Sequence, residues 1–73
     1  DAQTSLGYMY ENGHGVDQNM VFAYMWYNLA AAQGQKTAKN NTMIIVKKMS
    51  VAEIEEAQTL AKKCISNNYQ GCQ

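Results

Sequence analysis

Apolar residues recur at helical spacing in four stretches of this chain, and polar or glycine-rich breaks separate them. In the first stretch, about Ala2 to Glu11, the side chains of Ala2, Leu6, Met9 and Tyr10 fall on one face. Asn12-Gly13-His14-Gly15 interrupts it. Asn and Gly accept the positive φ that a helix C-terminus or tight turn demands. Val16 reads as a buried plug under that turn, and Asp17 or Asn19 as the N-cap of the next helix. The second stretch runs from about Met20 to Gln33. Ala23, Trp26, Tyr27 and Ala30 stand at i, i+3, i+4 and i+7, placing small residues beside large ones as close helix packing requires. Gly34 closes it.

A weaker stripe of Ala38, Asn41, Ile45 and Met49 predicts a third helix over Thr37 to Lys48. Ser50-Val51-Ala52-Glu53 has the form of a capping box, which starts a fourth helix at Val51. Ile54, Ala57, Leu60, Ala61, Cys64 and Ile65 form its expected buried face; Asn67 and Asn68 end it, leaving a tail from Tyr69 to Gln73. The chain thus reads as all-α, with two antiparallel helix hairpins made of about four helices. Ala2 returns as Ala38, a spacing that fits a repeat of a few dozen residues. Residues 1–36 form one complete helix-turn-helix unit, and residues 37–73 a degenerate terminal unit with a capping helix and short tail. Gly7 lies inside the first helix, at a cost of up to about 1 kcal/mol relative to Ala. Its place on the packing face predicts close approach of a neighbouring helix backbone.

Seventy-three residues suffice for one small domain with a marginal core. Helical repeats need about three units for stability, so two units starting at Asp1 rather than Met suggest a piece of a longer array.

The run Ala2-Gln3-x-x-Leu6-Gly7-x-Met9-Tyr10-x-x-Gly13-x-Gly15-Val16, followed by Ala23-x-x-Trp26-Tyr27-x-x-Ala30-Ala31-x-x-Gly34, resembles the Sel1-like repeat, a relative of the tetratricopeptide repeat. The likeness covers the first half. Met49 to Glu53 with Glu56-Ala57-Gln58 is similar to the terminal helix of many bacterial members. Asp17 and Val51 stand where the family often has proline, and this chain has none. The resemblance implies an α/α superhelical array, an adaptor role in protein–protein contacts and no shared catalytic residues. It also implies that the first helix of each unit lines a concave face. By spacing, Thr4, Tyr8 and Glu11 would line it from the first unit, and Asn40, Ile44 and Lys47 from the third helix. These same residues could instead pack against a neighbouring repeat.

Charge and chemistry narrow the functions further. Six lysines balance six acids and there is no arginine, which argues against a nucleic-acid partner and a polybasic membrane patch. The apolar runs, Met43 to Val46 among them, are too short to span a bilayer. His14 is the only histidine and reads as an exposed turn residue without the partner that acid–base chemistry needs. Two cysteines and one distant histidine do not make a zinc set, so no metal or cofactor is expected. Cys64 and Cys72 are spaced to close a disulfide, which favours an exported, periplasmic or secreted chain. Tyr8 and Tyr24 fall off the core positions and read as exposed.

The expected function is a binding module for a protein or peptide, with self-association through exposed repeat ends left open. Two alternatives stand beside it. A cell-envelope hydrolase lacks any nucleophile–base pair in the sequence. A purely structural cap draws support from Glu55, Gln58, Thr59, Lys62 and Lys63 on the outer face of the fourth helix.

Overall fold

Asn19 opens the second helix. Its backbone is extended and its Oδ1 accepts the N–H of Phe22 at 3.1 Å, so it is the N-cap in preference to Asp17. The computed structural model describes residues 2–68, with the side chain of Ala2 left aside. Helix α1 spans Ala2–Asn12, α2 Met20–Ala32, α3 Lys36–Ile45 and α4 Val51–Ser66, with a 3₁₀ turn at Val46–Lys48 between the last two. The fold is all-α, as the periodicity predicts.

Local chemistry explains each boundary. Gly13 sits at φ +70°, which turns the chain back so that His14 N donates to Met9 O at 3.0 Å, a bond that closes helices ending in a left-handed residue. Asn19 N then donates to Tyr10 O at 2.9 Å and ties the turn to α1. The capping box forms in full: Glu53 N donates to Ser50 Oγ at 3.2 Å, and Ser50 N to Glu53 Oε1 at 2.9 Å. The third helix differs from expectation, because its last turn tightens to 3₁₀ before Met49 becomes extended. With no glycine available, a tightened turn ends the helix and Met49 leaves it in a β conformation.

Helix α2 is the centre of the molecule. It packs against α1, α3 and α4, and the last two meet chiefly through it. Ala23, Tyr24, Met25, Trp26, Tyr27, Leu29 and Ala30 are all buried, on almost every side, as three neighbours demand. One cluster joins α2 to α3 and α4 through Ala23, Tyr24, Tyr27, Ile45 and Ala57. A second joins α2 to α4 through Met25, Trp26, Leu29, Ala61 and Cys64, with Leu6 and Tyr10 of α1 against it.

Some expectations change. Tyr24 is buried rather than exposed, because α4 crosses over it and Gln58 Nε2 donates to its phenol oxygen at 3.2 Å. Ile65 is exposed rather than buried. Helix α4 meets α2 through one stripe of small residues, Ala57, Ala61 and Cys64 at i, i+4 and i+7, and Ile65 lies beside it. Val16 is half-buried. Gly7 is buried as expected, but what approaches it is a side chain. A Cβ at Gly7 would stand 2.6 Å from the Tyr27 ring.

Candidate interaction site

The residues expected to line a binding face divide into an engaged group and an open group. Glu11 is engaged: its Oε1 accepts the Tyr27 phenol at 2.7 Å and its Oε2 accepts Lys48 Nζ at 3.4 Å. This carboxylate ties α1 to α2 and to the 3₁₀ turn, so an outside partner would have to compete for it. Burial, the hydrogen bond to Glu11 and that residue's charge together push the Tyr27 phenol above its ordinary pKa. Thr4 is half-buried.

The open group lies on two helices. Tyr8 is 53% exposed on α1, and its ring meets His14 edge-on with centroids 5.8 Å apart. Asn40, Ile44 and Lys47 are exposed on α3 and the turn after it, with Ile44 also at 53%. Helices α1 and α3 both pack on α2 rather than to any like extent on each other. The exposed His14 agrees with its reading as a turn residue, while its contact with Tyr8 depends on the path of the turn, which no local pattern specifies.

A groove that sequence patterns alone do not reveal lies between α2 and α3. Asn28, Ala31, Ala32, Lys39, Thr42 and Met43 line about 460 Å³ of space. Met43, at the start of the apolar run Met43 to Val46, is 60% exposed on the groove's rim, and the Ala31-Ala32 pair gives no more than a hint of the space. Among the described residues there is no group of three or more histidine, cysteine or acidic side chains that could hold a metal ion. No described helix is long and apolar enough to cross a membrane. Cys64 is buried against α2, and its expected disulfide partner Cys72 lies outside the described residues.

The burial pattern matches the repeat: Gly7, Ala23, Trp26, Tyr27 and Ala30 are buried, and Leu6 and Tyr10 half-buried, at the positions of the sequence signature. The family model of the Sel1 repeat matches residues 1–35, covering α1, the glycine turn and α2. Residues 1–35 are a Sel1 repeat. The chain is also similar to the chitin synthase regulator SKT5 of Saccharomyces cerevisiae, at 51% identity over 39 residues. That match covers 53% of this chain and only 6% of the relative. The relative is a yeast protein, so the bacterial origin suggested by the terminal helix gains nothing from it. No solved structure matches the chain. Sel1 repeats mediate contacts between proteins and are in general not enzymes. Most of the signature residues lie in or against the core, while Tyr8 and Ile44 outside the signature stay exposed.

Proposed function

We propose that this chain is the terminal part of a Sel1 repeat array and acts as an adaptor or scaffold that binds a protein or peptide. One observation carries the reading: the signature residues are consumed by the core, while Tyr8 and Ile44 outside the signature stay about half exposed. Exposed tyrosine and aliphatic side chains on rigid helices offer contact area at low entropic cost. The relative described as a regulator of a chitin synthase agrees with a segment that works through another protein. In this reading α4 caps the array. Its residues Glu55, Thr59, Lys62 and Lys63 are exposed, as is Gln58 apart from its bond to Tyr24. Export, with a Cys64–Cys72 bridge fastening the tail to α4, belongs to the same proposal.

Affinity capture with the chain as bait, followed by quantitative mass spectrometry, tests the adaptor role. Tyr8→Ala with Ile44→Ala should deplete the specific partner while the circular dichroism spectrum is unchanged. Undiminished capture by this double variant would refute the assigned face.

A further inference from the structure

We infer that the groove between α2 and α3 is a docking site for an acidic peptide segment anchored by an apolar side chain. The inference rests on the reading of the chain as an interaction module and names the chemistry of one partner. The alanine methyls of Ala31 and Ala32 and the side chain of Met43 supply an apolar lining, and Asn28 and Thr42 supply polar groups. At about 460 Å³ the space falls within the range of ordinary ligand pockets and takes a few side chains rather than a helix face.

Charge decides the occupant. No acidic residue occurs between Gln18 and Ala52, a stretch that includes all of α2 and α3. The same stretch holds Lys36, Lys39, Lys47 and Lys48, four of the six lysines. Lys39 lines the groove itself and is exposed. Among the described residues, the only carboxylate that pairs with any of the four is Glu11, which meets Lys48. A neutral chain thus presents a locally cationic edge beside an apolar slot, and an acidic segment with one apolar anchor complements both. The acids Glu55 and Glu56 on α4 make a second copy of this chain the natural rival.

The test is fluorescence anisotropy on the 73-residue chain, its helicity first checked by circular dichroism. The probe is a short labelled peptide with leucine flanked by Asp and Glu, compared with a counterpart carrying Asn and Gln. The acidic probe should bind more tightly, and binding should weaken as salt rises. Lys39→Glu should weaken it about five- to tenfold, since a surface attraction becomes a repulsion of similar size. Met43→Asp should weaken it further, whereas Lys62→Glu, an equal charge change on α4, should have little effect. Equal affinity for the two peptides, indifference to Lys39→Glu, or no binding would each overturn the inference. So would sedimentation showing self-association that Lys39→Glu abolishes while the peptide does not compete. The adaptor reading is judged separately, by the capture that depends on Tyr8 and Ile44.

Discussion

The phenol of Tyr27, fully buried at the centre of α2, donates a 2.7 Å hydrogen bond to the carboxylate of Glu11 at the end of α1. Helix α2 thereby holds α1 by a charge-assisted bond in addition to apolar contact. Removing the donor by Tyr27→Phe leaves the packing ring in place and should cost roughly 1.5–3 kcal/mol. Urea denaturation of the two proteins measures it; a difference within experimental error would show the bond to be energetically neutral.

The same pair sets an alkaline limit. In the fold the Tyr27 phenol holds its proton more strongly than an exposed phenol, chiefly because it is buried and then because of Glu11. Its contribution is therefore complete below about pH 10, the ordinary tyrosine value, and is lost as pH climbs from there toward the raised value. Stability should fall by up to about 1.4 kcal/mol per pH unit above that point. Tyr27→Phe should flatten this slope. Denaturation midpoints measured at a series of alkaline pH values check both statements.

Gly7→Ala sets two effects against each other. Helix propensity alone would make alanine the better residue by up to about 1 kcal/mol. The added methyl would stand 2.6 Å from the Tyr27 ring, which is itself fixed by Glu11 and the core. Overpacking of this kind costs about 1–3 kcal/mol, so the net change should be destabilising. A rise in the thermal midpoint would mean that the ring yields.

The capping box at Ser50 and Glu53 is the one device that starts α4. Ser50→Ala should cost about 1 kcal/mol. For a domain of this size that lowers the thermal midpoint by about 4–8 °C. Glu53→Gln keeps an acceptor for Ser50 N and should cost less than Glu53→Ala; the order of the three midpoints is the check.

Cys64 and Cys72 offer a chemical prediction. A bridge between them closes a loop of nine residues. In the chain-entropy model it would stabilise by about 2.5 kcal/mol. Thiol labelling of the oxidised chain under denaturing, non-reducing conditions should find no free thiol. Two labelled thiols would remove both the bridge and the argument for export that rests on it.

The sequence by itself determined the four helices and most of their ends, the 3₁₀ close of α3 excepted. Caps and turns work over three to six residues, so Ser50, Glu53 and Gly13 announce theirs without help from the rest of the chain, whereas the choice of Asn19 over Asp17 came from the structure. It also set the signature positions, because helical spacing alone places Ala23, Trp26, Tyr27 and Ala30 together. Tertiary structure decided what those helices meet. Tyr24 is buried because α4, thirty-four residues further on at Gln58, lies over it. Glu11 is engaged because the fold delivers Tyr27 and Lys48 to it from elsewhere in the chain. The groove between α2 and α3 exists because two helices packed through Ile45 stay apart along the side that carries Ala31 and Met43. Periodicity identifies which face of a helix is apolar, but the number of neighbours that share this face depends on contacts distant in sequence, which no local pattern encodes.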